Sequence, residues 1–373
     1  MDTEKRLLSL DALRGFDMLF IMGFASLVVA CCALFPGGAD CWLARQMEHV
    51  SWDGLRHHDT IFPLFLYLAG LSFPFSYAKQ VARGRTRSQI YGKIFYRGFA
   101  LVVLGCIYNG FLQLKFPFRY IGVLQHIGLA WMFAALLFIN CKTKTRVWIA
   151  AGILVGYYLL LRFVGAPDHP GADPFSYEGN LVGYVDRVLN RWFSFMHGRL
   201  YRGDFDPEGV LSILPAIVTA MLGMFTGDYV RKPESEVSGG KKTVNMLIAA
   251  AIMLVVGLLW SLQFPINKAL WSSTFVLVVG AYSVAMFVLF YWIIDVKGWK
   301  KWTTFFTVIG MNSITIYMGQ RIINFRSIGN FFFGGIASLG GEAWANFIGA
   351  LGYLAVSWLF LYFLYKKKVF LKV

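Results

Sequence analysis

The sequence consists largely of apolar stretches, each about 20 residues long, that follow one another along the chain. At a rise of about 1.5 Å per residue, a helix of this length spans the roughly 30 Å hydrocarbon core of a bilayer. The stretches are too long and too uniformly apolar for barrel strands, and helices satisfy their own backbone groups in lipid. We therefore predict an all-α integral membrane protein with about ten transmembrane helices. The predicted helices cover residues 10–34, 59–78, 94–112, 122–140, 147–164, 210–230, 243–262, 272–294, 303–320 and 343–365.

The balance of residue types supports a membrane protein. Of the 373 residues, 57% are hydrophobic and 15% are charged, whereas a soluble domain carries about 25% charged residues. The net charge of +15 is spread over short loops that lack the aromatic and basic pattern of a nucleic-acid module, so no nucleic acid is expected. The first apolar stretch contains Asp11, Arg14 and Asp17, and we interpret it as a retained helix rather than a cleaved signal.

The distribution of Lys and Arg predicts the orientation. With the N-terminus in the cytoplasm, the inner segments carry more Lys and Arg than the outer ones, in agreement with the positive-inside rule. Both termini are then cytoplasmic, which requires an even number of crossings. We expect a single domain over residues 1–373, with a long extracytoplasmic loop at about 165–209. This loop is too long for a simple connector, and a lid or part of a binding surface is the expected role.

Charged residues inside an apolar helix are costly and need a partner or a function. Asp11, Arg14 and Asp17 follow one another at intervals of three residues, which places Asp11 and Arg14 on neighbouring turns where they can pair. One interpretation is a buried structural ion pair. The other is that Arg14 offers its guanidinium to a phosphate that enters from the cytoplasm.

The segment EHVSWDGLRHHDTIFPLFLYLAG, from Glu48 to Gly70, is the most informative part of the sequence. It contains His49, His57 and His58, and Asp59 begins the second predicted helix at the outer edge of the membrane. A histidine there titrates near neutral pH, and a nearby carboxylate can hold its tautomer. A zinc site is the rival interpretation. Adjacent histidines do not easily face one metal and no cysteine pair accompanies them, so no metal is expected.

Five cysteines add no metal-ligand spacing. Cys106 and Cys141 lie in or beside predicted helices as small apolar residues. Cys31, Cys32 and Cys41 fall near one external loop, and whether any of them forms a disulfide is left open.

Several further polar residues lie at the ends of predicted helices or inside them, where helix–helix hydrogen bonds are the common role. They are Gln125, His126, Asn267 and Asn312. Asp206 and Glu208, just before the predicted helix at 210–230, are expected either to cap that helix or to contact a polar ligand.

Eight groups of motifs, in order along nearly the whole chain, resemble the heparan-α-glucosaminide N-acetyltransferase family and its bacterial relatives. They are RLLSLDALRGFD, HVSWDGL with HDTIFPLF, GVLQHIGLA, DPEGVLSILPAI, INKALWSSTFVL, DVKGW, GMNSITIYMG and YKKKVF. The resemblance implies transfer of an acetyl group from cytoplasmic acetyl-CoA to the amine of a terminal glucosamine, as in heparan sulfate, on the far side of the membrane. It places the active histidine at His49 and the accompanying acid at Asp59.

This resemblance leads to residue assignments that remain hypotheses here. His49 acts as a general base or becomes acetylated itself, and the sequence does not choose between these routes. Asp59 orients His49 or holds the amine, and the amide of Gln125 or Asn312 is a candidate oxyanion donor. Donor binding is assigned to Arg14, Arg97, Gln125 and Asn312. Acceptor binding is assigned to Trp52, His58, Asp206, Glu208 and Asn267.

The expected partners are acetyl-CoA, an amino-sugar or glycan acceptor and the lipid bilayer, with a homodimer left open. The short N-terminus, without the lumenal domain of animal members, indicates a multi-pass protein of a bacterial inner membrane. A transporter or flippase for a sugar or lipid-linked glycan is the alternative, because transporters also use intramembrane Asp, Arg and Asn residues. An acyltransferase for another glycan, such as a cell-wall sugar, is a third possibility.

Overall fold

The computed structural model describes residues 7–110, 119–192, 200–201 and 203–371. Within these ranges the chain is helical and contains no strand, and nine helices are long and apolar enough to cross a membrane. The prediction of an all-α integral membrane protein is confirmed. The helices are α1 (Leu8–Cys32), α2 (Trp42–Gln46), α3 (His57–Ala82), α4 (Arg87–Tyr108), α5 (Val123–Asn140), α6 (Thr143–Phe163), α7 (Leu181–Trp192), α8 (Ile213–Val230), α9 (Gly239–Trp260), α10 (Ser273–Val296), α11 (Thr303–Met311), α12 (Ser313–Ile322), α13 (Phe325–Ala337) and α14 (Glu342–Lys366).

The predicted span at 303–320 forms two helices instead of one. Helix α11 ends at Met311 and α12 begins at Ser313, and Asn312 between them has φ −120° and ψ 23°. The amide side chain of Asn can bond to nearby backbone and so competes with helix continuation. If the two halves are counted as one interrupted crossing, the described chain has ten crossings. Otherwise it has the nine continuous ones.

The ends of α4 differ from the prediction of 94–112. The helix begins at Arg87, because Thr86 and Gln89 form a capping box in which each side chain accepts a hydrogen bond from the other's backbone N–H. Residues 111–112, at the predicted end, lie outside the described residues. The interior of α1 contains a π-helical turn, Phe20–Phe24, where Gly23 adopts a φ of 119° that a side chain would disfavour.

Two compact units make up the chain. The first contains residues 1–50, 55–61 and 286–372. In its described part, α1 and α11 pack backbone to backbone at Gly15 and Gly310. A Cβ on Gly15 would collide with the carbonyl oxygen of Phe306, and one on Gly310 with that of Asp11.

The second unit contains residues 51–54 and 62–285. Helices α3 and α8 pack equally closely there, and the hydroxyl of Tyr67 donates a hydrogen bond to Oγ1 of Thr226 at 2.8 Å. The predicted loop at 165–209 contains helix α7, whose apolar face packs with aromatic residues of the same unit. That core includes Phe175, Leu181, Val182, Phe205 and Phe264. The single domain over 1–373 stays a prediction.

Candidate active site

His49 and Asp59 form a hydrogen-bonded pair where α3 begins. Nδ1 of His49 lies 2.7 Å from Oδ1 of Asp59. The other carboxylate oxygen accepts the backbone N–H of Val50 at 3.3 Å and that of Arg56 at 3.2 Å. The side chain of Asp59 is 1% exposed and that of His49 is 54% exposed. Because a carboxylate only accepts, a neutral His49 carries its hydrogen on Nδ1 and its lone pair on Nε2.

Arg56 connects the segment around this pair. Its guanidinium donates to the Glu48 carboxylate at 3.2 Å and to the carbonyl oxygen of His49 at 3.3 Å. The prediction from the sequence did not include Arg56, because an Arg at a membrane edge resembles an ordinary interfacial charge. Only the fold reveals that Arg56 touches His49 through its side chain and Asp59 through its backbone.

The two adjacent histidines face different neighbours. The ring of His58 lies 4.6 Å from that of His49, centroid to centroid. The ring of His57 packs against Phe20 at 4.6 Å, and its backbone N–H donates to the Gln46 side chain at 3.0 Å. Among the residues that the structure describes, no three His, Cys, Asp or Glu side chains gather in a group that could hold a metal ion. All five cysteines are free thiols.

The charged residues of α1 are partly paired with one another. Arg14 lies 3.9 Å from Asp11, so the predicted ion pair is confirmed, and 21% of the Arg14 side chain is exposed. Asp17 is buried, and its Oδ2 has no hydrogen-bond partner within the described ranges. The backbone N–H of Ser9 donates to Asp295 at 3.2 Å, which joins α1 to the end of α10.

The four residues assigned to donor binding have different surroundings. Arg14 and Asn312 belong to the first unit, and Arg97 and Gln125 belong to the second. The guanidinium of Arg97 lies 4.3 Å from the ring centroid of Trp131. Gln125 is buried and donates to the carbonyl oxygen of Tyr120 at 3.3 Å. Asn312 is 1% exposed, and neither polar atom of its side chain has a hydrogen-bond partner in the described chain.

Trp52 and Asn267 hold neighbouring loops of the second unit together. The indole N–H of Trp52 donates to the carbonyl oxygen of Phe175 at 2.9 Å, and its ring contacts Tyr177 edge to face at 5.3 Å. Nδ2 of Asn267 donates to the carboxylate of Asp53 at 3.0 Å. The segment Trp52–Gly54 is therefore held in place by loops that are distant in sequence.

Asp206 and Glu208 form an ion-pair cluster with Arg119, which the sequence did not reveal. Arg119 donates to both oxygens of Asp206 and to Glu208, and its guanidinium lies 4.9 Å from the ring centroid of Tyr201. Asp206 is fully buried and also accepts the backbone N–H groups of Tyr201 and Glu208, each at 3.1 Å. Burial raises the pKa of Asp206, and the hydrogen bond from Arg119 opposes that change. The carboxylate oxygens of Asp206 are thus engaged within the protein.

Asp186 of α7 is a second buried acid that sequence reasoning missed. Its Oδ1 accepts the backbone N–H of Val210 at 3.1 Å, while Oδ2 has no partner among the residues with described positions. Gly209 packs so closely on this carboxylate that a Cβ would collide with it. Burial raises the pKa of Asp186 to about 8. No sequence motif distinguishes Asp186 from the exposed acids of the same loop.

Comparison with known proteins identifies the family. The sequence model of the heparan-alpha-glucosaminide N-acetyltransferase family, catalytic part, matches residues 6–257. The chain belongs to this family. It is 28% identical over 370 residues to the heparan-alpha-glucosaminide N-acetyltransferase of Homo sapiens, covering 85% of this chain and 53% of the human protein. Identity to the protein of the same name from Mus musculus is also 28%, over 368 residues, 86% of this chain and 54% of the mouse protein.

The chain thus spans about half the length of these two relatives. The family match includes His49 and Asp59 and extends through the Asp206 cluster, whereas Asn267 and Asn312 lie beyond its last residue. In this member of the heparan-α-glucosaminide N-acetyltransferase family, the hydrogen-bonded pair therefore lies inside the matched part of the chain.

Proposed function

We propose that the chain is a transmembrane acetyltransferase. It moves an acetyl group from cytoplasmic acetyl-CoA to the amine of a glucosamine-type sugar on the extracytoplasmic side. The observation that carries the proposal is the hydrogen bond of 2.7 Å between His49 and Asp59, in a family named for N-acetyl transfer. A buried carboxylate that orients a half-exposed imidazole is a common arrangement in acyl transfer.

Two routes use the same pair. In the first, Nε2 of His49 takes a proton from the amine while the amine nitrogen attacks the thioester carbonyl carbon. The carbon–sulfur bond then breaks, and the thiol of CoA leaves with that proton. In the second, Nε2 attacks the carbonyl carbon itself and CoA leaves as the thiolate. The amine then displaces the imidazole from the acetyl group and releases one proton, which balances the charge of the thiolate. Asp59 holds Nδ1–H in both routes, and base catalysis of this kind contributes about 10²–10⁴ in rate.

Arg14, Arg97 and Gln125 are proposed to bind the donor. Guanidinium groups match phosphate oxygens in charge and geometry, and Arg14 keeps part of its side chain exposed beside Asp11. The guanidinium of Arg97 lies 4.3 Å from the ring centroid of Trp131, and its positive charge suits a phosphate of the donor. Gln125, tied to the carbonyl oxygen of Tyr120, is proposed to shape the wall of the donor site.

The acceptor is proposed to contact Trp52, His58, Glu208 and Asn267. Trp52 offers an indole to the apolar face of a sugar ring, and the ring of His58 lies beside that of His49. For Asp206 we propose a positioning role, because its buried carboxylate holds Arg119 and two backbone N–H groups. A ligand at this position has to break those bonds first.

Both termini are proposed to be cytoplasmic, in a bacterial inner membrane. Ten crossings, with α11 and α12 counted as one, agree with the positive-inside bias of the loops. Three of the charges that support this orientation, Lys5, Arg6 and Lys372, lie outside the described residues. The donor and the acceptor then approach His49 from opposite sides of the membrane.

An acceptor screen tests the proposal. Purified protein is incubated with labelled acetyl-CoA and a panel of amino sugars, and the products are identified by mass spectrometry. We expect an N-acetylated glucosamine product from the wild type and from His57→Gln, the matched control, and none from His49→Ala. Transfer by His49→Ala at the wild-type rate would refute the assignment. Sugar counterflow in vesicles without consumption of acetyl-CoA would instead identify a transporter.

A further inference from the structure

The break between α11 and α12 leaves polar groups buried in the middle of a crossing. Asn312, at the break, is 1% exposed, and its amide oxygen and nitrogen both lack hydrogen-bond partners in the described part of the chain. Oγ1 of Thr307 and Oγ1 of Thr315, on either side of the break, are also buried. They too lack hydrogen-bond partners among the described residues. The first N–H groups of α12 also have no acceptor inside that helix, and no side chain caps it.

Polar groups without hydrogen-bond partners are costly at this depth in a membrane. Asn312 lies near the centre of the predicted span at 303–320, where the surrounding medium is hydrocarbon. A buried amide without a hydrogen bond costs about 1–3 kcal/mol on mutational scales, and an interrupted helix at membrane depth is tolerated where it is buried in protein or lines a cavity. Broken helices are also a common way for membrane proteins to place polar binding groups at mid-depth.

The unmatched groups identify the chemistry of the ligand. Asn312 offers one acceptor and one two-hydrogen donor, the threonines offer hydroxyls, and the start of α12 offers N–H donors. A secondary amide, with one N–H and one C=O, complements this set. A phosphate would bring two negative charges into a low-dielectric position, which costs several kcal/mol per ion unless they are paired.

The depth of the break in the membrane further limits which part of a ligand can reach it. Gln320, near the end of α12, donates to the carbonyl oxygen of Ile21 at 3.5 Å, and the neighbouring Phe20 contacts the ring of His57. Eight residues separate Asn312 from Gln320, which corresponds to about 12 Å along a helix. Asn312 therefore lies about two helical turns deeper in the crossing than the end of α12 that contacts α1 beside His57.

We propose that the break at Asn312 binds an amide of the pantetheine arm of the acyl donor. This inference rests on the proposed function, because that donor is acetyl-CoA. The pantetheine arm is uncharged, carries two secondary amides, and connects the thioester to the charged nucleotide. Its thioester then lies near His49 while an amide lies deeper in the membrane at Asn312.

Binding of donor fragments tests this inference. Affinities of CoA, pantetheine and adenosine 3′,5′-bisphosphate are measured for the wild type, for Asn312→Leu and for the control Ser357→Ala. Ser357 is buried on α14, and its hydroxyl also lacks a partner among the described residues. We expect Asn312→Leu to weaken CoA and pantetheine about 10- to 100-fold and to leave the bisphosphate unchanged. Ser357→Ala should bind all three like the wild type.

A second ligand keeps the test informative if Asn312→Leu does not fold. A pantetheine analogue in which one amide is replaced by an ester should bind the wild type about tenfold more weakly. Two such analogues are compared, one for each amide, and the inference is overturned if both bind the wild type as tightly as pantetheine does. It is also overturned if Asn312→Leu weakens the bisphosphate as much as it weakens CoA. If the wild type transfers acetyl groups and Asn312→Leu binds CoA normally, only this inference fails. If the wild type transfers none, the proposed function itself fails.

Discussion

Replacing Asp59 with Asn should stop catalysis without disturbing donor binding. Three donors converge on the Asp59 carboxylate: Nδ1 of His49 on one oxygen, and the N–H groups of Val50 and Arg56 on the other. An Asn side chain has only one oxygen for both positions. Two backbone donors outnumber one ring nitrogen, so the oxygen of the introduced amide should turn to the backbone and its NH₂ to His49. Nδ1 must then accept, and the ring hydrogen moves to Nε2.

The wrong tautomer leaves no lone pair on the nitrogen that has to react. The corresponding change in a serine protease triad lowers kcat about 10⁴-fold, and we expect a loss of about 10³–10⁴ here. Single-turnover acetyl transfer at saturating acetyl-CoA measures the rate, and the Kd of CoA should stay within about threefold. Asp53→Asn, in the same motif but bonded to Asn267, is the control. A rate for Asp59→Asn within about tenfold of the wild type would refute the role given to the carboxylate.

Three further changes follow from the described contacts. Asp186→Asn should flatten the pH dependence of thermal stability. The native state holds a proton on Asp186 up to pH about 8, whereas the unfolded chain releases it near 4, so wild-type stability falls by at most about 1.4 kcal/mol per pH unit between these values. A Tm difference between variant and wild type that does not grow from pH 5 to pH 9 would contradict the burial of this acid. Gly310→Ala should lower the Tm because the Cβ of the introduced alanine meets the backbone of α1. Gly334→Ala should leave the Tm unchanged because the space around that position is open, and equal Tm values for the two variants would exclude the close contact. Trp52→Phe should remove the hydrogen bond to Phe175 and raise the KM for the amino sugar with little change for acetyl-CoA; an unchanged KM for the sugar would argue against acceptor contact.

The sequence predicted the helices because their cause is local. Each span is an apolar run of sufficient length, and ends such as that of α8 agree within a few residues. The break at Asn312 was not predicted, since an Asn in an apolar run resembles any helix–helix hydrogen bond. Helices α7 and α13 were missed because their amphipathic faces depend on partners that only the folded chain supplies.

The hydrogen-bonded pair was predictable because His49 and Asp59 share one short motif at the membrane edge. Arg119 was not, because its partners Asp206 and Glu208 are more than 80 residues away in sequence. The same distance in sequence explains why Asp206 was assigned to substrate, although in the fold its carboxylate is bonded to Arg119 and to two backbone N–H groups. Asp186 illustrates a further limit: its raised pKa comes from burial in the fold, and its sequence context is that of an ordinary loop acid.

Acetyl transfer across a membrane tests the central claim most directly. Protein is reconstituted into sealed vesicles with glucosamine inside and acetyl-labelled acetyl-CoA outside, and N-acetylated sugar is measured in the lumen after removal of external solutes. Vesicles with the wild type should accumulate labelled N-acetylglucosamine while CoA stays outside, and vesicles with His49→Ala should accumulate none. Labelled product that forms only when both substrates are on the same side, or equal product from His49→Ala, would contradict the account.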